Sequence, residues 1–411
     1  MLKEAHVGKI AFPPRHESIS WASSLITFSC IVVGTAPTKL GYLFRSGIIL
    51  TPLLLILFAL VSYFNNYLFV KLGCHYQAFT FDQIWIASFG KKTSFIPTFI
   101  SVSVVILVDM FYTQIMVQSL KDLNVKLFQF NPRFYVFLTD YWLLGFFASV
   151  ILISPFVFST SLPFLSQTMK FKFTLIIIFI IIMFTEFILR VQKYGFDPNH
   201  EISFFNFDKT LIKVFGSLST AFLVFPLAWP SIQHVKNATE KDLYKLFMCQ
   251  VILCFFIYFI MGAISYLTFF KENVGGNVFD YYSHKWLQTT SYVLLCIFYL
   301  FTIPLIINPS RYLLLNSFYQ LQDIPLSIWY MVGLSIQIIG VALSASNTAF
   351  GRILGIILDA FSPFLLCIIP SILSLKTYGK SSKTLYILSI LDLILGIILC
   401  ILLILLNIIS F

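Results

Sequence analysis

The sequence predicts an all-α polytopic membrane protein with about eleven transmembrane helices, and three observations carry that prediction. Of its 411 residues, 59% are hydrophobic and 11% charged, with 47 Phe, which leaves too few polar residues to clothe a soluble globule of this length. Apolar runs of about 20 residues, enough to cross roughly 30 Å of hydrocarbon, recur at 21–43, 48–71, 95–119, 141–161, 171–192, 211–232, 245–269, 287–310, 325–345, 353–375 and 384–408. The first and sixth runs are interrupted by helix-breaking residues, and each opens a set of five. That is the pattern of a 5+5 inverted repeat with discontinuous helices 1 and 6. The expected organisation is a cytosolic N-terminal tail at 1–20 and a transmembrane domain at 21–408. Within that domain, repeat one covers about 21–192, repeat two about 211–375, and an extra helix 384–408.

Composition also excludes other classes. The tail carries Pro13, Pro14 and charges but no apolar core, so it does not read as a cleaved signal peptide. The net charge of +10 is scattered over short loops, a distribution that suits membrane flanks and not nucleic acid. No nucleic-acid or protein partner is expected. Cys30, Cys249, Cys254, Cys296, Cys367 and Cys400 fall inside predicted spans and Cys74 at a membrane edge, so no disulfide framework or metal site is expected. The six His are dispersed, which argues against an enzyme. A modest excess of Lys and Arg on the N-terminal side places the N-terminus in the cytosol; Lys170 and Lys172 count toward it as residues of the loop before span 5.

Span 1 contains Ser29-Cys-Ile-Val-Val-Gly-Thr-Ala-Pro37. Gly34 and Pro37 are expected to break the helix there, and in lipid a broken backbone is tolerated only where protein buries it or it lines a wet cavity. Thr35 and Ala36 would present free N–H groups ahead of Pro37, which suits the first turn of a resumed helix, so the break predicts an anion site at mid-membrane. Between spans 2 and 3, Phe79 to Phe89 has helical spacing and reads as an interfacial helix. Asp109 in span 3 is expensive to leave in a membrane and is therefore a functional candidate; pairing with Lys39 is the structural alternative. Glu186, near the end of span 5, is expected to pair with Arg190 at i+4. In span 6, Gly216, Ser217, Ser219 and Thr220 predict a weak helix, and Pro226 and Pro230 distort its second half. Arg311 reads as an anchor to headgroups or loop at the end of span 8, and Asp392 in span 11 is given no role.

Val33-Gly34 followed by Leu40, Tyr42, Phe44 and Gly47, then Ser88-Phe89-Gly90, Ser154-Pro155 with Leu162, Ala221-Phe222 with Pro230, Tyr266-Leu-Thr-Phe-Phe270 and above all Thr302-x-Pro304-x-x-x-x-Pro309-x-Arg311 form a pattern. With it the chain resembles the amino acid/auxin permease family of eukaryotic amino acid transporters over about residues 18–408. Gly41 departs from the family's Leu-Pro-Tyr sequence. The sodium-coupled members have an Asn where this chain has Cys30, while Thr302 matches their ion-site Thr.

The resemblance implies a secondary-active or exchange transporter for amino acids, working by alternating access in the plasma membrane or a vacuolar or lysosomal membrane. An amino-acid-sensing receptor on a transporter fold is the alternative, against which the 20-residue tail argues. The substrate-binding candidates are Val33, Gly34, Thr35, Ala36, Ser219, Thr220, Phe222 and Phe225, and the ion-coupling candidates Cys30, Asp109 and Thr302. No cofactor is expected. A thiol is a poor ligand for a hard cation, so proton coupling is expected ahead of sodium.

Overall fold

A computed structural model of the chain describes residues 19–34, 43–78, 81–127, 140–148, 153–158, 162–195, 202–207, 210–223, 232, 235–236, 238–270, 277–316, 325–345, 348–379 and 381–409. Almost all of these residues are helical. The helices are α1 (Trp21–Val32), α2 (Leu50–Tyr76), α3 (Phe81–Phe89), α4 (Phe95–Leu127), α5 (Tyr141–Phe147), α6 (Ser154–Phe158) and α7 (Leu162–Tyr194). They continue as α8 (Thr210–Ala221), α9 (Glu240–Phe269), α10 (Lys285–Asn316), α11 (Leu326–Ser344), α12 (Thr348–Pro363), α13 (Ile369–Tyr378) and α14 (Lys383–Ile409). Helix is the expected answer to an apolar solvent, since every backbone group is then satisfied within its own segment.

Among the described residues, eight helical stretches are long and apolar enough to cross a membrane. The runs expected at 21–43, 141–161 and 211–232 appear instead as the shorter helices α1, α5 with α6, and α8, and the remainder of each run lies partly outside the described residues. The expected span at 353–375 is one long stretch in which a π-helical turn at Phe364–Ile368 joins α12 to α13. Pro363 and Pro370 flank that turn; each lacks an N–H, which forces the local change in pitch.

The interior is apolar and aromatic, and long-range polar ties fix the helix ends. Ser20 caps α1, and the backbone of Lys236 donates to Ile19 at 3.0 Å, which joins the start of α1 to the approach to α9. A capping box of Thr239 and Asp242 opens α9. On the opposite membrane face, Gly47 has φ 116° and a Cβ there would run into the backbone of Phe204; only glycine satisfies both demands. The contact lets Ile48 donate to Ser203 and Asn206 to Ser46 at 2.9 and 2.7 Å. The expected interfacial helix is α3, which buries Phe81, Ile84 and Trp85 and ends at Gly90.

Three expectations about charged residues are corrected. Lys172 does not belong to a loop: α7 begins at Leu162, and Lys172 lies within it with its side chain fully buried. Arg311 does not reach outward from the helix end toward water or a loop, because its side chain is also fully buried. Glu186 turns to the loop before α10, where it accepts from the backbone and hydroxyl of Ser283 at 2.8 and 2.7 Å and faces His284 at 3.3 Å. Arg190, its expected partner, lies over the ring of Phe269.

Candidate functional site

The two interrupted helices meet. Helix α1 stops at Val32, Val33 turns back so that its N–H reaches Ser29, and the Gly34 N–H reaches the carbonyl of Val32 at 2.8 Å. Helix α8 stops at Ala221, one residue beyond the stretch expected to be weak, and turns through Phe222 and Leu223. From α9, the hydroxyl of Tyr258 lies 2.8 Å from the carbonyl of Val32 and 3.1 Å from that of Ala221. One phenolic proton thus serves the open ends of both helices, where the last carbonyls lose their intrahelical partners once the helix stops.

Between these ends lies a narrow cavity. Ile31 and Val32 of α1 close one side, Thr220, Ala221 and Leu223 another, and Val104, Val105, Val108 and Tyr112 of α4 with Ile306 of α10 complete it. Its lining is apolar except for Tyr112 and Thr220. Tyr112 presses its hydroxyl against Gly34: a Cβ on Gly34 would overlap that oxygen and lie 2.5 Å from the ring carbon bearing it. Gly34 is therefore required by close approach.

Of the substrate-binding candidates, Thr220 lines this cavity and Val33 and Gly34 stand at its α1 edge. The Thr220 hydroxyl also pairs with Ser362 of α12 at 2.9 Å. Ser219 is buried with its hydroxyl returned to Phe215, and Phe222 packs its ring against Tyr258. Thr35, Ala36 and Phe225 lie outside the described residues, as does Lys39.

The ion-coupling candidates divide. Cys30 and Thr302 are both buried, with the Cys30 thiol directed at the carbonyl of Met169 and the Thr302 hydroxyl returned to Phe298. Asp109 lies elsewhere. It is one residue from the cavity-lining Val108, on another face of α4, and it addresses α11: a Cβ on Gly340 would overlap its Oδ2, while Thr113 donates to Oδ1 at 3.4 Å.

Sequence reasoning missed four residues here. The Lys172 ammonium donates to the Cys30 carbonyl at 2.6 Å and sits 4.6 Å from the ring centre of Phe298, one helical turn from Thr302. The Lys172 side chain thus stands against Cys30, one of the ion-coupling candidates. Tyr258 and Tyr112 gave no signal among so many aromatic residues. Asp359 of α12, whose carboxyl group a Cβ on Gly216 would approach to 2.8 Å, was legible as an acidic residue in a membrane span.

Residues 17–411 match the transmembrane amino acid transporter protein family, and the chain belongs to that family. A curated relative, the Plasmodium falciparum (isolate 3D7) protein named "Putative amino acid transporter AAT1", is 24% identical over 301 residues, covering 69% of this chain and 45% of that protein. The chain thus spans under half the length of this relative. Among solved structures, MhsT in complex with L-phenylalanine superposes with a TM-score of 0.65 at 13% identity, over 96% of this chain and all of that one. The nucleobase-cation-symport-1 transporter MHP1, closed around bromovinylhydantoin, gives 0.59 at 11% identity over 98% and 94%. A Na+-coupled sialic acid symporter in a substrate-bound outward-open state gives 0.54 at 10% identity over 95% and 89%. At these identities the likeness establishes the fold, which is that of membrane transporters.

Proposed function

We propose that the protein moves a neutral amino acid with an apolar side chain across a membrane by alternating access, as a secondary-active transporter or exchanger. Its two five-helix repeats would rock about the site where α1 and α8 end. The observation that carries this reading is the meeting of two interrupted helix ends, joined by one Tyr258 hydroxyl, at an apolar cavity. The substrate carboxylate is assigned to the N–H groups following Gly34, assisted by the Tyr112 hydroxyl, and the ammonium group to carbonyls at the end of α8. A helix terminus in a partly buried site contributes up to about 2 kcal/mol, whereas millimolar binding takes about 4 kcal/mol. The apolar walls and the second helix end supply the difference.

For coupling, the reading favours protons over sodium. In its charged form Lys172 holds the last turn of α1; in its neutral form that tie weakens, so one proton can bias the position of the broken helix. Proton release to one side of the membrane and uptake from the other would link the gradient to transport. We place the N-terminus in the cytosol and the protein in the plasma membrane or a vacuolar or lysosomal membrane. No observation favours a receptor over a transporter. Uptake of a panel of labelled amino acids into proteoliposomes, under imposed pH or sodium gradients, tests the whole reading. Accumulation of leucine-like or phenylalanine-like substrates driven by a pH gradient is expected. Uptake that requires sodium and ignores pH would overturn the coupling assignment.

A further inference from the structure

Arg311 lies in the penultimate turn of α10, far along the helix from Lys172's partner Phe298 and on the side that meets α6 and α11. Its side chain is fully buried. One terminal nitrogen donates to the carbonyls of Val157 and Trp329 at 3.0 and 3.3 Å, the other donates to the Asn308 side-chain oxygen, and the guanidinium stacks 4.1 Å from the ring centre of Trp329. Gly333, one turn beyond Trp329, makes the room: a Cβ there would stand 2.8 Å from the guanidinium and 2.9 Å from Val157.

Every one of these acceptors is neutral, so among the described residues the charge is held but not balanced, and a buried charge without a counter-charge is strongly unfavourable. The hydrogen bonding is lopsided in the same direction. Among the described residues, Arg311 Nε, Asn308 Nδ2 and Trp329 Nε1 are all buried donors without an acceptor, carried by Arg311 and the two side chains that touch its guanidinium. The start of α11 lies three residues before Trp329 and has no side-chain cap, so its positive end adds to the excess. A protein interior rarely leaves even one such group unmet. Among the described residues, three unmet donors and one cation without a counter-charge gather in a single cluster, and an anion with several acceptor oxygens would satisfy all of them.

We infer that Arg311, Asn308 and Trp329 form a binding site for a phosphate-class anion, and that the anion is a phospholipid headgroup. The lipid source rests on position. Trp329 is only half-buried, and its neighbours Leu326 and Met331 are exposed by 62% and 67% on the apolar outer surface of α11, where hydrocarbon would meet them. The penultimate turn of a membrane-crossing helix stands near headgroup depth, where arginine and tryptophan both serve as anchors.

The test uses the full chain purified in maltoside micelles. Dioleoyl phosphatidylglycerol, dioleoylglycerol as its phosphate-free counterpart, and inorganic phosphate are titrated separately, with native mass spectrometry and the apparent melting temperature as readouts. Phosphatidylglycerol is expected to appear as a bound adduct and raise the melting temperature, and dioleoylglycerol to do neither. Two shape-preserving variants probe the site: Asn308→Asp supplies Arg311 with an internal carboxylate, and Trp329→Phe removes one donor while keeping the stacked ring. Each should weaken phosphatidylglycerol binding about tenfold, the effect of losing one charge-assisted hydrogen bond. An equal shift with inorganic phosphate alone would keep the anion site and overturn its lipid source. No phosphate-dependent shift in the wild-type protein, or undiminished binding in both variants, would overturn the site.

Discussion

Lys172 donates from its ammonium nitrogen to the carbonyl of Cys30 at 2.6 Å, and so ties α7 to the last turn of the interrupted helix α1. A hydrogen bond from a charged donor contributes about 1.5–3 kcal/mol, offset here by the desolvation of a fully buried ammonium. Because the two terms oppose, Lys172→Met should fold and shift the melting temperature little. Its effect should fall on coupling: substrate exchange persists, and the dependence of uptake on an imposed pH gradient disappears. Flux measured in proteoliposomes with and without the gradient checks this, and a Lys172→Met protein that still concentrates substrate on a pH gradient would remove Lys172 from the coupling step.

Gly34 faces the hydroxyl of Tyr112 with no room for a side chain. Gly34→Val should abolish uptake and also lower stability by about 1–3 kcal/mol through overpacking, since a β-branched group both displaces Tyr112 and blocks the approach of a carboxylate to the backbone. Unchanged uptake kinetics in a well-expressed Gly34→Val protein would mean that substrate binds elsewhere.

Tyr258→Phe removes one hydroxyl and keeps the ring that packs on Phe222. The loss of a buried hydrogen bond, about 0.5–1.5 kcal/mol, should lower the melting temperature by a few degrees. If the hydroxyl holds the two helix ends together in this conformation alone, turnover should change more than apparent substrate affinity. A KM change with constant maximal rate would instead place Tyr258 in direct substrate binding.

Most of the scaffold was legible in the sequence because hydropathy and helix length report directly on a bilayer: the runs at 48–71, 245–269 and 325–345 appear as α2, α9 and α11 within a few residues at their ends. The break in span 1 was legible because a glycine close to a proline defeats the helix locally. What the sequence could not show was the destination of a charge. Lys172 and Arg311 lie near span ends, where a lysine in a loop, one reaching toward water and one buried against a carbonyl share the same one-dimensional context. Tyr112 and Tyr258 were hidden differently. Among 20 Tyr and 47 Phe, only the fold selects the two hydroxyls that meet at helix ends.

Asp109 supplies the sharpest contrast between expectation and geometry. An acidic residue at mid-span is a natural proton carrier, but this one is fully buried against α11, with one oxygen facing Gly340 and the other accepting from Thr113. Among the described residues its Oδ2 finds no hydrogen-bond partner, an arrangement far less costly for a neutral carboxyl group than for a carboxylate. Asp109→Asn keeps the shape and carries no charge, so it should fold and retain pH-driven uptake, whereas Gly340→Ala, which forces a methyl group into Oδ2, should lower stability by about 1–3 kcal/mol through overpacking. The pair of variants separates two roles. If Asp109 carries the coupled proton, Asp109→Asn loses its response to a pH gradient while Lys172→Met keeps it. If Asp109 only joins α4 to α11, the order reverses, and that reversal in gradient-driven uptake is the expected result.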